Sequence, residues 1–359
     1  MKAAICYEFG KPLVIEEVQI DPPQTGEVKI KLAATAICHS DVHLLQGEWG
    51  GEVPVIAGHE SSGTVEAIGA GVTTVKPGDR VVVSLLRACG RCFYCTIGEP
   101  YLCSGEFALS SQSRVRNGQG QFILQGLYTG SFAEYTIVDQ SQCVKIPDNM
   151  PFDCAALLAC GVITGLGAVT NTAQMAPRSS VVVIGAGGVG LNAIQGAAMA
   201  GAREIIAVDR VAAKLTAARN FGATHTINAS DEDPVAAVLA HSHGFGVDYA
   251  FVTVGSAKAL EQGFSMIRPG GTAVMVGIPR ADDPAVLNIR PLTKGRKLIG
   301  SRMGGSHLSV DVPRLVQLYL QGRLKLDELI TQRYALDAIN QALASTASGE
   351  ALRNVIMFE

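Results

Sequence analysis

Val181-Val182-Val183-Ile184-Gly185-Ala186-Gly187-Gly188-Val189-Gly190 reads as a short buried strand running into a glycine-rich turn. The turn fits G-x-G-x-x-G, which is a weak signal alone in a chain holding 40 glycines. Its surroundings sharpen it. An Ala-rich helical stretch follows at 191–200, a second strand at 205–208, and Asp209 closes that strand about twenty residues past the turn. In such a turn Gly185 permits the tight bend, Gly187 lets backbone approach a pyrophosphate, and Gly190 lets helix pack on strand. The helix start at Gly188 and Val189 offers free N–H groups and partial positive charge to phosphates. Asp209 suits the hydroxyls of an adenosine ribose and would repel a 2′-phosphate, so the predicted cofactor is NAD; the adjacent Arg210 argues the other way.

Working outward, a helix is expected at 212–221, a strand at 249–254, a helix at 257–267 and a strand at 272–278. Strand and helix in alternation predict an α/β fold with a doubly wound parallel sheet. The first 160 residues differ. Runs at 28–32, 63–68 and 80–83 alternate or are β-branched, with Gly and Pro between them, and predict a β-rich domain. The C-terminal part carries a helical pattern at 312–321 and a strand-like 354–358, while the polar stretch 104–126 reads as a long surface loop.

With 359 residues, 48 % of them apolar and 17 % charged, the chain suits two well-packed domains and not a disordered polymer. Net charge is −3 and there is no run of Lys or Arg, which argues against nucleic-acid and anionic-membrane partners. The opening residues Met1 to Cys6 lack a signal-peptide pattern, and no uninterrupted apolar stretch reaches about 18 residues. A cytoplasmic protein is expected.

Nine cysteines, an odd number, do not suit a closed disulfide framework. Four crowd together as Cys89-x2-Cys92-x2-Cys95-x7-Cys103, and such a cluster in a reducing compartment more often binds metal. An iron–sulfur run of the bacterial type wants a third gap of three residues and a following proline; here the gap is longer and Ser104 follows. A closed tetrahedral thiolate shell around zinc, structural because no position is open, is the better reading. Cys6, Cys143 and Cys154 read as structural.

Cys38-His39-Ser40-Asp41, Gly58-His59-Glu60, the four-cysteine lobe, Cys160-Gly161-Val162-Ile163-Thr164-Gly165 and the glycine-rich turn follow one another in order. In that order the chain resembles the zinc-containing medium-chain alcohol dehydrogenases over nearly its whole length. With Gly130-Ser131-Phe132-Ala133-Glu134-Tyr135 and the long loop before it, the branch resembled is that of formaldehyde dehydrogenases and bacterial nicotinoprotein alcohol dehydrogenases.

The resemblance implies a GroES-like β-rich catalytic domain over 1–161 and 303–359, and an NAD-binding Rossmann domain over 162–302. It implies two zinc ions per subunit. Cys38, His59 and Cys160 match the catalytic zinc ligands, with a fourth position open. Asp41 matches the carboxylate that orients the ligand histidine, and Glu60 the acid beside the metal. Ser40 and His43 match a proton relay. His39 and Arg353 match basic groups near the cofactor phosphates, Arg353 also near Glu60; Thr164 matches a residue against the nicotinamide, and Lys214 one near the adenosine ribose. Val254 and Ile278 fall in the cofactor site as well, and Trp49, Phe132, Ile278 and Met303 are expected to line the substrate pocket. Two positions depart from the pattern. Ser256 stands where several relatives carry an arginine, and Met303 where animal enzymes often carry an aromatic.

The activity so implied is reversible, zinc- and NAD-dependent hydride transfer between a primary or aromatic alcohol and its aldehyde, by a homodimer or homotetramer. Two readings of the same chemistry stay open. One is oxidation of a glutathione or mycothiol adduct of formaldehyde, for which Arg114 and Arg116 are candidate anchors; the other is a nicotinoprotein that keeps its NAD. A non-catalytic zinc-ribbon nucleic-acid binder belongs to another class, and the charge balance argues against it.

Overall fold

The computed structural model describes residues 1–359, and the chain divides into two compact units: residues 1–160 with 307–359, and residues 161–306. Each has its own sheet and its own apolar core.

The second unit is built on six strands that all run parallel. In spatial order they are His225–Asn228, Glu204–Asp209, Ser180–Ile184, Val247–Val252, Ile267–Met275 and Lys297–Gly300. The first strand in sequence, Ser180–Ile184, therefore has its successors on both sides. That reversal of winding is where ligands bind in doubly wound sheets, at the carboxyl ends of the strands. Every residue of Ser180–Ile184 is buried, as a strand covered on both faces must be. Val182, Ile206, Val208, Val252, Phe264 and Met266 are among the buried residues of one core cluster in this unit.

The first unit carries a mostly antiparallel sheet, with one parallel pair between Ile330–Ala335 and Arg353–Met357, around the eleven-residue strand Glu27–Ile37, which pairs with Glu60–Ile68, Tyr135–Asp139 and Arg353–Met357. Beyond them lie Arg80–Ser84, Cys143–Lys145 and Ile330–Ala335. Val28, Ile30 and Leu32 alternate into one core with Val65, Val81 and Val83. A second core joins Ile5, Ile37, Ile56, Phe132 and Ile356.

The stretch 104–126 differs from the expected surface loop. Val115–Arg116 and Phe122–Gln125 form a hairpin inside a four-stranded sheet with Gln19–Ile20 and Val55–Ile56. Its polarity is internal: the Arg114 guanidinium, 4 % exposed, holds the Glu27 carboxylate at 2.6 and 3.0 Å and Gln24 at 2.9 Å. A paired, hydrogen-bonded charge tolerates burial that a lone one does not.

One helical run, Phe152–Thr172, is long and apolar enough to cross a membrane, with mean hydropathy 1.9. It is 83 % buried within the folded chain, as a core helix is.

Candidate functional site

Cys38 follows the long strand and is the N-cap of the helix His39–Leu45, so its thiol sits where backbone hydrogen bonding changes type. Asp41, one turn into that helix, is fully buried. Its carboxylate accepts the N–H of Cys38 (3.0 Å) and of Gly58 (3.0 Å), and meets Nδ1 of His59 at 2.8 Å. One side chain thereby ties two distant motifs together. It also sets the imidazole: with Nδ1–H given to Asp41, Nε2 is the free ligand atom. Gly58 has a φ of +92°, and a Cβ there would stand 2.6 Å from the Phe132 ring and 2.7 Å from the Ser131 hydroxyl. No other residue fits that bend.

Cys160 arrives on the π-helical turn Leu158–Val162, an irregularity often found at functional positions. The ligand atoms of Cys38, His59, Glu60 and Cys160 all lie within 4.8 Å of one another, and all four residues are buried. Nε2 of His59 and Oε1 of Glu60 have no hydrogen-bond partner. An orphaned buried donor or acceptor costs about 1–3 kcal/mol, so the cluster calls for a cation. Two sulfurs, an imidazole nitrogen and a nearby carboxylate fit zinc.

The charges agree. The bond from Cys160 holds the Cys38 thiol well below its ordinary range against burial, with help from His59 and Arg353. The same bond, with burial, pushes Cys160 well up. Burial works against a charged His59, yet Asp41 and Cys38 hold it well above its usual value. Burial also pushes Glu60 up to about 7 despite the Arg353 guanidinium, which is hydrogen-bonded to Glu60 Oε2.

Ser40 and His43 lie three residues apart on His39–Leu45, a spacing that shares a helix face. His43 meets Glu48 Oε2 through Nδ1 at 2.8 Å, and its ring lies 5.5 Å from that of Trp49. Glu48 went unnoticed in the sequence; an acid just past the helix end, on the turn after Gly47, is the signal that could have found it. His39 is exposed at the start of the same helix. Phe132 has no exposed surface and packs with Ile5 and Ile56.

Cys89, Cys92, Cys95 and Cys103 surround the short helix Phe93–Thr96 and the turn Pro100–Leu102. Their sulfurs lie within 4.8 Å of one another and all four residues are half-buried. Backbone N–H groups of Cys89 and Gly105 point at the Cys103 sulfur (3.3 and 3.4 Å), and that of Cys92 at the Cys89 sulfur (3.3 Å). Backbone donors at Cys95 and Ser104 bring Cys92 down to about 5, while desolvation pushes Cys95 up to about 12. Four convergent sulfurs, with backbone N–H groups directed at those of Cys89 and Cys103, fit a structural zinc.

In the second unit the turn after Ser180–Ile184 meets the helix Gly188–Met199. A Cβ on Gly190 would stand 1.7 Å from the Gly185 carbonyl oxygen, whereas one on Gly187 would meet nothing within 4 Å. The first closes helix on strand; the second leaves a cradle beside a helix N-terminus, which fits a pyrophosphate. Asp209 ends its strand with Oδ2 accepting the Ala186 N–H at 2.7 Å, and Oδ1 those of Arg210 (2.7 Å) and Val211 (2.9 Å). Lys214 follows on Ala212–Asn220. Val254 and Ile278 are exposed, and Thr164 donates to the Met303 sulfur at 3.6 Å. Ser256, where an arginine was the family expectation, caps the helix Ala257–Met266 by accepting from Ala259 N–H. The candidate anchors for a thiol adduct are committed elsewhere. Arg114 is paired to Glu27, and Arg116 reaches Asp21 at 3.4 Å and stacks on Phe122.

Residues 24–148 match the family model described as alcohol dehydrogenase GroES-like domain, and residues 188–321 the one described as zinc-binding dehydrogenase. The chain is 38 % identical to alcohol dehydrogenase 1 of Trifolium repens, over 100 % of this chain and 97 % of that one. It is also 38 % identical to the NDMA-dependent alcohol dehydrogenase of Amycolatopsis methanolica, over 99 % of this chain and 98 % of the relative. Among solved structures, benzyl alcohol dehydrogenase from Acinetobacter calcoaceticus superposes with a TM-score of 0.93 at 34 % identity, covering 100 % of this chain and 99 % of that one.

Proposed function

The chain belongs to the zinc-containing medium-chain alcohol dehydrogenase family and is an oxidoreductase, and from that premise we propose that it interconverts primary or aromatic alcohols and aldehydes with NAD. The observation that carries the reading is the unpartnered Nε2 of His59, fixed by Asp41 beside the sulfurs of Cys38 and Cys160. Benzyl alcohol as a substrate class follows the likeness to the Acinetobacter benzyl alcohol dehydrogenase.

When bound, zinc supplies Lewis acidity toward an alcohol or carbonyl oxygen and NAD supplies the hydride acceptor. Cys38, His59 and Cys160 would hold the ion, and Asp41 keeps the imidazole proton on Nδ1 so that Nε2 faces it. Ser40 takes the proton that an alcohol must lose, and His43 carries it outward. Glu48 at Nδ1 leaves His43 Nε2 free to accept it. Arg353 balances Glu60 within the same buried cluster. In the second unit Asp209 and Lys214 hold the adenosine ribose, Gly187 to Gly190 the pyrophosphate, and Thr164, Val254, Ile278 and Met303 serve the nicotinamide side. Cys89, Cys92, Cys95 and Cys103 would hold a second, structural zinc.

Benzyl alcohol and short primary alcohols, assayed with NAD and NADP alongside zinc analysis, test this. Turnover with NAD and two zinc ions per chain is the expected result; turnover without zinc, or with NADP alone, overturns it. A second reading, in which the nicotinamide cofactor stays bound, is favoured by the likeness to the NDMA-dependent enzyme. Turnover with NDMA in place of added NAD, and cofactor surviving gel filtration, would select it.

A further inference from the structure

Three of the seven histidines, His225, His241 and His243, fall in the nucleotide-binding unit, far in sequence from the reacting cluster. Two of them converge. His241 ends the helix Pro234–His241 and hydrogen-bonds Glu204 Oε1 through Nε2. His225 opens the edge strand His225–Asn228, with Nδ1 3.7 Å from the same carboxylate oxygen. The two rings lie 4.1 Å apart. The three ligand atoms fall within 4.8 Å of one another, and the side chains are 21, 48 and 32 % exposed for Glu204, His225 and His241.

We propose that Glu204, His225 and His241 form a third, surface metal site for a divalent transition ion such as Ni2+, Co2+ or Zn2+. Two imidazole nitrogens and one carboxylate oxygen are a ligand set these ions favour over Mg2+ and Ca2+. Each imidazole aims a nitrogen at the one Glu204 oxygen, with the two rings packed against each other. A cation shared by all three resolves that crowding. A recess of ≈ 340 Å³, lined by Arg219, Thr226 and Glu232 as well as the two histidines, adjoins the cluster, and water or a small anion there can complete the shell.

Placement decides what the ion does. Glu204 and His225 begin neighbouring parallel strands, while Asp209 and the glycine-rich turn lie at the opposite, carboxyl ends. Five residues at about 3.3 Å each separate Glu204 from Asp209 by roughly 16 Å, so the ion neither touches nor replaces the nucleotide. It instead pins the edge strand His225–Asn228 and the end of a helix to the interior strand. The local competitor is Thr224, whose hydroxyl donates to Ile205 C=O and also lies 3.0 Å from His225 Nδ1. Loading therefore requires the His225 proton on Nε2.

The test uses zinc-loaded enzyme dialysed against Ni2+, with elemental analysis and thermal melting. One Ni2+ per chain is expected in addition to the resident zinc, with a rise in Tm that grows with Ni2+ concentration. Even indirect partners of a metal ligand are worth about 10–100-fold in affinity, so losing two direct ligands in His225→Ala/His241→Ala should weaken Ni2+ binding roughly 100-fold or more. Zinc content and alcohol turnover should be unchanged. Equal Ni2+ uptake by the double variant, or no uptake by the parent, overturns the site. Should the double variant fail to fold, Glu204→Gln, which keeps the side-chain shape, carries the same comparison.

Discussion

At Cys38, His59, Glu60 and Cys160 every residue is buried and three separate stretches of chain contribute, whereas Cys89, Cys92, Cys95 and Cys103 come from one short, half-buried segment. The buried cluster leaves Nε2 and a carboxylate oxygen without partners. The lobe directs backbone N–H groups at its sulfurs. The difference separates two uses of one kind of ligand. A site whose geometry is imposed by the surrounding sheet can keep a position open, because its ligands cannot relax toward the ion. A site whose four ligands lie in one segment closes on the ion and gains its own fold from doing so.

The largest effect should come from His59→Ala. Removing a ligand from the reacting ion forfeits several kcal/mol of charge stabilisation, a fall in kcat of roughly 10³-fold or more. One zinc per chain should remain and circular dichroism should be unchanged. Retained activity would erase the distinction between the clusters. Cys92→Ala should act on the fold instead, lowering Tm by roughly 5–10 °C with kcat of the surviving protein near the parent value. A Tm unmoved by that change would strip the lobe of its structural role.

Asp41→Asn is subtler, since the amide can still hold one neighbour. It should weaken zinc at the buried cluster by about 10–100-fold while the lobe keeps its ion, measured by competition with a chelator. Equal loss from both sites would mean that Asp41 supports the whole unit and not one imidazole. The smallest effect concerns the sulfurs themselves. With zinc removed, Cys92, at about 5, is a thiolate at pH 7 and protonates only as pH falls through 5; Cys95, at about 12, stays a thiol. Iodoacetamide at pH 7 should therefore label Cys92 before Cys95. Equal rates would show that the emptied lobe holds no structure.

Local order was easier to read in the sequence than distant assembly. The strand, turn and helix from Ser180 to Met199 announce themselves by β-branched residues and glycines within a short window. The cysteine lobe does so by spacing. His225–Asn228 and Pro234–His241 carry little sequence signal, because His-Thr-Ile-Asn at a sheet edge has little apolar periodicity and the two histidines stand sixteen residues apart with no motif between them. The same limit hid the hairpin at 115–125, whose one telling residue, Arg114, finds its partner Glu27 only through the fold. Cys38, His59 and Cys160 carry no mutual spacing either; only the ordered likeness to a family assembled them. The structure adds Asp41 as the reason they meet.

The three backbone N–H groups gathered by Asp209 have a consequence for redesign. On the proposed NAD reading, exchanging an acid at this place is the obvious first step toward a phosphorylated dinucleotide. Here the acid is also a brace, joining the end of one strand to the bend after another. Its deletion would release the bend, and with it the cradle in which either dinucleotide would have to sit. Engineering would do better to keep Asp209 and alter the surface after it, beginning at Arg210.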